Sequence, residues 1–508
     1  MSTIPTMRMR FAAAALLPVL TLVAAGCGGG SKSKQSASGG RSGAEVFPAS
    51  AVAYVAVNTD LGSSQWKQVD ALLKKFPGRT KLFAQIQKEM AKEGVDFKRD
   101  VKPALGPDID VAWLDFADNG TNFVAVTQPK DEAKFTALVK KADKFNPKNT
   151  LVMEKIGDWT ALSDSQAKLD RLKSAQNGAK LADDERFKDA VADLPSETLV
   201  TAYLNGQAAR QAIRSSLPSN NPAASGFLAG TPLQSLQWVS AAATAESNGV
   251  RLAAGEKTTK GGKTYSAELE HALPAGAWAY VSFNDLASTL RKALHALNST
   301  PSFETQRTQL ELALGFSLEN DLLPIFSGEG ALAVYPGAAG SRIPTVDLVL
   351  KVKDEAKARK VLQRLAAVAK LGNVGTVRRI TVGGVTATEI RPTGIPVSIY
   401  FTLSKGMVIV TNGRSALASI GGSGKKLADD PLYKEARSAA KAPDDTTGFA
   451  YVNLHAALPT IFGLAESSGS SSASLAEARA NTKPLQSVFV YGTKDGDVTR
   501  LGGFLEIK

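Results

Sequence analysis

Cysteine and histidine are nearly missing from this chain. One cysteine, Cys27, and three histidines, His271, His295 and His455, stand in 508 residues. A single cysteine excludes an intramolecular disulfide, and no histidine pair has the spacing of a metal site, so neither a thiolate cluster nor a metal centre is expected. No apolar run after Cys27 is long enough to span a bilayer. The chain also lacks a Gly-x-Ser-x-Gly nucleophile elbow and a spaced Asp-x-Asp-x-Asp-Gly calcium loop. Residues 419–426 are glycine-rich and end in two lysines, but without the spacing of a phosphate-binding loop. The net charge is +12, yet lysines are interspersed with acids and no dense basic stripe or RNA-type aromatic motif occurs, which argues against nucleic acid as a partner. These gaps lead to the expectation of a protein that is not an enzyme and carries no cofactor.

The amino terminus is rich in signal. Arg8 and Arg10 precede an apolar run over residues 11–25, and Ala24-Ala25-Gly26 then leads into Cys27. A basic region, an apolar core shorter than a bilayer span and a small-residue cleavage site make an export signal. The segment resembles a bacterial lipobox, although Ala24 stands where a branched aliphatic is usual and Val23 lies one place earlier. That resemblance implies cleavage between Gly26 and Cys27, a diacylglyceryl group on the Cys27 sulfur and membrane lipid as a partner. Lipidation would also remove a thiol that is a liability outside the cell. Residues 28–43 contain glycine, serine and three basic side chains and almost nothing apolar, the composition of a flexible tether. Loss of residues 1–26 removes two arginines and leaves a net charge of +10, favourable towards an anionic envelope. The remainder, in a chain 44% hydrophobic and 21% charged, has an ordinary globular composition.

An internal duplication is the main feature of that remainder. Phe47-Pro48-Ala49 and Ala51 to Asn58 recur 226 residues later as Leu273-Pro274-Ala275 and Ala277 to Asn284. Gly94-Val95-Asp96-Phe97 before Pro103 and Gly106 matches Gly315-Phe316-Ser317-Leu318 before Pro324 and Gly328. Lys-Asp-Glu-Ala-Lys occurs at residues 130–134 and 353–357, and Lys-Leu-Ala-Asp-Asp at 180–184 and 426–430, with Phe187 and Tyr433 following the latter pair. Tyr203-Leu204-Asn205 and Tyr451-Val452-Asn453 come next, then Pro-Leu-Gln-Ser at 232–235 and 484–487. The order of these landmarks divides the chain into a signal peptide (1–26), a tether (27–44) and two homologous repeats (45–265 and 270–508), joined within residues 255–270.

Alternating or β-branched runs predict strands at 51–57, 123–127, 198–204, 277–283, 345–352, 397–403 and 407–411. Helical spacing predicts helices at 65–76, 80–93, 130–142, 184–193, 286–297, 303–314, 353–370 and 431–440. In the clearest of these, Ala356, Val361, Leu365 and Val368 are expected to form the apolar side. Each half is expected to close with a hairpin, at Asn248-Gly249 and Asp495-Gly496, through type I′ turns. Strands and helices mix without a βαβ rhythm, which gives an α+β fold: two halves, each a largely antiparallel sheet with helices packed on one face. The Pro-Ala-x-x-x-Ala-Tyr-Val-x-x-Asn opening, the Gly-x-x-Phe-like step before Pro103 and Gly106, and the Leu-Ala-Asp-Asp block with its aromatic resemble the DUF3352 family. The resemblance covers nearly everything from Phe47 to Lys508. It implies bacterial, actinobacterial-type envelope proteins, often with an N-terminal anchor, and no established reaction, cofactor or ligand.

Asp183-Asp184 and Asp429-Asp430 are the best paired carboxylates. Each pair precedes a helix, so capping of free N–H groups is the first expectation and ligand or cation contact the second. Tyr54 and Tyr280 are expected to cover a core edge with their hydroxyls towards water, and Asn58 and Asn284 to cap the element that follows. The sequence therefore points to a lipid-anchored protein on the extracytoplasmic face of the cell membrane, working as a scaffold, adaptor or accessory to another envelope protein. The alternative is a carrier or binding protein for a lipid or other apolar ligand.

Overall fold

The computed structural model describes residues 42–116, 120–145, 150–216, 234–258, 263–298, 301–338, 341, 343–372, 375–467 and 472–508. They divide into two compact units. The first holds the described residues up to Ser216 with Leu236–Thr258 and Ile507–Lys508; the second holds the rest.

Eight strands build the first unit: β1 (Ala53–Asn58), β2 (Asp108–Trp113), β3 (Phe123–Thr127), β4 (Val152–Ile156), β5 (Trp159–Ser163), β6 (Val200–Asn205), β7 (Leu236–Glu246) and β8 (Gly249–Thr258). They pair in the order β4-β5-β3-β2-β1-β6-β7-β8, every neighbour antiparallel. Side chains alternate across a strand, so the two faces bury different sets. Tyr54 on β1 and Tyr203 on β6 lie opposite one another. Both make edge-to-face contacts with Phe187 of the helix Glu185–Val191, ring centroids 5.5 and 5.1 Å apart. The other face buries Ile109 with Trp66, Met90, Phe97 and Val101 from the helices Ser64–Leu73 and Arg79–Lys92 and the π-helical turn after them. Helices thus cover both faces, not one. The reason is visible in β3 and β5, where all five residues of each strand are buried and need cover on both sides.

The second unit contains β9 (Tyr265–Ser266), β10 (Ala279–Asn284), β11 (Glu329–Tyr335), β12 (Thr345–Lys351), β13 (Gly375–Val382), β14 (Val385–Pro392), β15 (Ile399–Ser404), β16 (Met407–Thr411), β17 (Asp445–Thr446), β18 (Gly448–Asn453), β19 (Leu485–Asp495) and β20 (Val498–Ile507). β9 and β17 pair with each other, while the rest run β13-β14-β15-β16-β12-β11-β10-β18-β19-β20. One core joins Tyr280, Val349, Ile409, Tyr433, Phe449, Tyr451 and Phe489. The alternate residues Leu350 and Val408 face a second core with Phe316, Ile325, Ala358 and Val361. Between the helix Glu355–Leu371 and β15 this unit carries the hairpin β13–β14; in the first unit the helix Glu132–Phe145 is followed directly by the hairpin β4–β5.

The expected strands and helices are all present within a few residues. Three details differ. The buried side of Glu355–Leu371 is formed by Ala358, Val361 and Ala369, with Leu362 and Leu365 beside them, and Ala356 is exposed. Asp354 caps the helix, accepting from the Lys357 amide at 2.8 Å, which places Ala356 in the solvent-facing first turn. The first hairpin closes on the pair Glu246 and Gly249, so its central residues are Ser247 and Asn248, and neither has positive φ. In the second, β19 ends at Asp495 and β20 starts at Val498; Gly496 has φ +58° while Asp497 does not have positive φ. Type I′ needs positive φ at both central positions, and neither turn provides it.

Candidate functional site

Asp184 and Asp430 are helix caps. The Asp184 carboxylate accepts from the backbone amides of Arg186 (2.9 Å) and Phe187 (3.1 Å). Asp430 accepts from Leu432 (2.9 Å), Tyr433 (3.4 Å) and Gly276 (2.8 Å). Burial works against ionisation of Asp184, but the hydrogen bonds and charge of Arg186 outweigh it and the carboxyl titrates below its ordinary range. Asp183 and Asp429 end the short 3₁₀ turns just before and are exposed. The Asp429 carboxylate makes a solvent-exposed contact with Lys434 at 3.6 Å. Asp184→Ala and Asp430→Ala should each cost about 1 kcal/mol of stability, while Asp183→Ala and Asp429→Ala should be close to neutral. Chemical denaturation of the four variants checks this. Equal losses at all four positions would contradict the capping role.

Cys27 and Gly26 lie outside the described residues, as do the signal segment, the tether up to residue 41 and Pro232-Leu233. Among the described residues, no helix is long and apolar enough to cross a membrane, and no group of three or more His, Cys, Asp or Glu could hold a metal ion. His271 lies 4.0 Å from Glu270, His295 lies 3.2 Å from Glu319, and His455 is exposed on another helix.

The tyrosine expectation fails. Tyr54 is fully buried, and its hydroxyl donates to Asp110 Oδ1 at 2.8 Å rather than reaching water. Tyr280 is equally buried. The asparagine expectation fails too: Asn58 accepts from the Asp60 amide at 2.9 Å and closes a local turn, while the helix Ser64–Leu73 is capped by Ser63, which accepts from the Trp66 amide. After Asn284 it is Asp285 that accepts from the Ser288 amide, at 3.4 Å.

The sequence reading missed the buried carboxylates. Asp108 and Asp110 project from one face of β2 and are 2% and 0% exposed. Asp110 also accepts from the Gly43 amide at 2.8 Å, and Asp108 from the Ser42 hydroxyl at 2.8 Å. A Cβ on Gly43 would stand 2.3 Å from the Asp110 carboxylate, so only glycine fits there. Burial, then the charge of Asp108, pushes the Asp110 carboxyl well above its usual range; burial also raises Asp108. On β11, Glu329 receives the amides of Glu268 and Leu269, both at 2.8 Å. In each unit a strand carboxylate thus holds the 3₁₀ turn that enters the sheet.

Asp347, 1% exposed on β12, accepts from the Thr411 hydroxyl at 2.5 Å, and burial pushes its carboxyl up to about 6. A folded-state value above the unfolded one contributes stability that is complete below about pH 4 and is lost as pH rises through about 6. Asp347→Asn should therefore exceed the parent protein by up to about 3 kcal/mol at pH 8, with the difference shrinking at pH 4. Urea denaturation at the two pH values measures it. A variant no more stable than the parent at pH 8 would refute the burial of a neutral acid.

A concave feature with several convergent polar groups lies in the second unit, between the helix Glu355–Leu371 and β13–β15, with a volume of about 720 Å³. From the helix, Arg359, Gln363 and Lys370 line it at spacings that share one face. From the sheet come Arg379, Thr388 and Phe401, which are direct cross-strand partners and therefore share a face. No acidic residue lines the groove. Arg378 alternates to the opposite side, where it and Arg391 hold the buried Glu389. Burial raises Glu389, but the two arginines dominate and hold it at about 2. A second hollow of about 580 Å³, with Tyr400, Asn412 and Arg414 in its wall, lies on the other side of the β13–β15 strands.

Residues 139–488 match the model of a family described as a protein of unknown function, DUF3352. No curated protein matches the chain. Two solved structures are similar in part, crystal forms IV and III of TP0453. They are 13% and 10% identical, cover 42% and 47% of this chain and 83% and 95% of their own, with TM-scores of 0.21 and 0.22.

Proposed function

We propose, for a chain that belongs to the DUF3352 family, a role as a lipid-anchored protein on the extracytoplasmic face of the cell membrane that acts by binding, as a scaffold, adaptor or accessory, rather than by catalysis. The export signal and Cys27 support the location. The observation that carries the anchored reading is the fixed point at which the tether meets the fold. Ser42 and Gly43, at its end, are bound by Asp108 and Asp110. A segment of tether-like composition that ends on a buried, glycine-specific contact joins the folded body at one defined place. For the role, Asp184 and Asp430, one member of each carboxylate pair singled out in the sequence, are engaged as caps, which supports surface recognition over chemistry.

The two units are further read as homologous halves from one duplicated segment. Their support is the common strand plan, the bridges Pro48 to Lys180 and Pro274 to Lys426, and Gly94 and Gly315 with φ of +66° and +65° before a π-helical turn. Carriage of an apolar molecule is the second reading. It is favoured by Val490, Val281 and Leu332, which lie in one cross-strand row with Ala450 and are 37–39% exposed. Native purification from membranes followed by mass spectrometry distinguishes the two. A co-purifying protein in fixed ratio supports the adaptor role, a stoichiometric lipid supports the carrier, and turnover in a hydrolase and transferase substrate screen would overturn both.

A further inference from the structure

We infer that the groove between Glu355–Leu371 and β13–β15 binds two or more neighbouring phosphate groups, carried by one polyphosphate or by adjacent lipid head groups. This inference goes beyond the role proposed above and does not need the lipid anchor.

Four basic residues and no acid line the groove, and one of the four, Arg378, is ion-paired with Glu389, which leaves Arg359, Lys370 and Arg379. Their charge is available. Lys370 and Arg379 make no ion pair among the described residues, and Arg359 has only the i,i+4 contact with Glu355 at 3.9 Å, both side chains more than half exposed. Such a pair neutralises little. Arg359 and Lys370 stand eleven residues apart on one helix face, a span of about 16 Å at 1.5 Å per residue. One small anion cannot reach both ends, whereas a chain of phosphates or neighbouring phosphorylated head groups can. Arg379 faces the helix from the sheet with the Thr388 hydroxyl next to it across the strand pair. A guanidinium fork beside a hydroxyl donor suits the several acceptor oxygens of a phosphate. Phe401, 8% exposed, closes the floor next to Thr388 and limits competing water.

The floor is also held in place from behind. Glu389 lies on the opposite face of β14 and clamps Arg378 and Arg391 of β13 and β14. The alternation that sends Arg378 to Glu389 sends Arg379 into the groove. At the root of the hairpin, Gly375 takes φ +159° and a Cβ there would stand 1.9 Å from the Arg391 carbonyl oxygen, so the strands close tightly only with glycine. The hairpin that supplies Arg379 and Thr388 is the element present in this unit between helix and sheet and not in the first.

The test is calorimetric titration of the full chain in neutral detergent with tripolyphosphate, alongside co-sedimentation with phosphatidylglycerol or phosphatidylcholine vesicles. Lys370→Glu and Arg379→Glu should each weaken binding of tripolyphosphate or phosphatidylglycerol at least tenfold. Lys360→Glu, exposed on the same helix outside the groove, should change it less than twofold. All three positions are at the surface, and thermal melting confirms that the fold survives. Tighter binding of tripolyphosphate assigns a soluble phosphate ligand, and tighter binding of phosphatidylglycerol assigns a lipid head group. Absence of binding to both, or equal weakening by Lys360→Glu, would overturn the site.

Discussion

Cys27→Ser is expected to abolish stable membrane association. The substituted chain should either appear in the soluble fraction or accumulate with residues 1–26 still attached, while the parent protein sediments with membranes and begins at a modified Cys27. The size of the effect follows from the anchor. Each buried methylene contributes about 0.8 kcal/mol, one acyl chain gives only marginal and reversible binding, and two chains hold a protein stably. A thioether-linked diacylglyceryl group supplies both chains at one atom, so removing the sulfur removes the whole contribution. Subcellular fractionation with intact-mass analysis reads the outcome. A parent protein that starts elsewhere with a free Cys27 thiol, or a serine variant processed normally and still bound to membranes, would end the lipoprotein proposal.

Arg437→Ala should destabilise the protein by about 3 kcal/mol, and the triple change Glu270→Ala, Tyr433→Phe, Arg437→Val should cost far less. Glu270 is 7% exposed and receives the Tyr433 hydroxyl at 2.5 Å and Arg437 Nη1 at 2.9 and 3.0 Å. Removal of the guanidinium leaves a buried carboxylate without its counter-charge, and that loss is what a single substitution measures. The first unit supplies the control. Ala44 follows Gly43 as Glu270 follows Leu269, and Phe187 and Val191 stand three and seven residues after Asp184 as Tyr433 and Arg437 stand after Asp430. The apolar set is compatible with the same arrangement of turn, strand and helix. Urea midpoints of the single and triple variants decide the matter. A triple variant as unstable as Arg437→Ala would show that the polar set does more than satisfy itself.

The legible parts of the fold were those where pattern and environment agree. Residues 123–127 and 407–411 match β3 and β16 at both ends because both are apolar, β-branched-rich runs in covered positions. The Leu-Ala-Asp-Asp blocks announced their caps because an N-cap is a local matter of one carboxylate and the next two or three amides. What stayed hidden was non-local. β2 reads Asp-Ile-Asp-Val-Ala-Trp, and two aspartates look like a surface loop until the turn at Ser42–Glu45 is brought to them from more than sixty residues away. The hairpin β13–β14 carries Arg378, Arg379, Thr381, Thr386 and Thr388, a polar text for a strand pair whose side chains are mostly exposed or half-buried. The groove was invisible for the same reason. Its cations come from a helix and from a strand absent from the predicted set.

The place of β1 in the middle of its sheet sets an order of events. β1 is the first strand made, and its two partners are β2, about 50 residues on, and β6, about 150 residues on; β10 stands in the same position between β11 and β18. The Tyr54 pairing with Tyr203 therefore closes a loop longer than most small domains. A chain threaded outward from its amino end would wait with β1 to β3 and their apolar faces open until β6 emerges. Closure entropy grows only slowly with loop length, so the finished unit is not weakened, but distant pairing makes the route slow. In a chain exported as proposed, the interval of greatest risk for aggregation would fall during translocation, before β6 arrives in the first unit and β18 in the second.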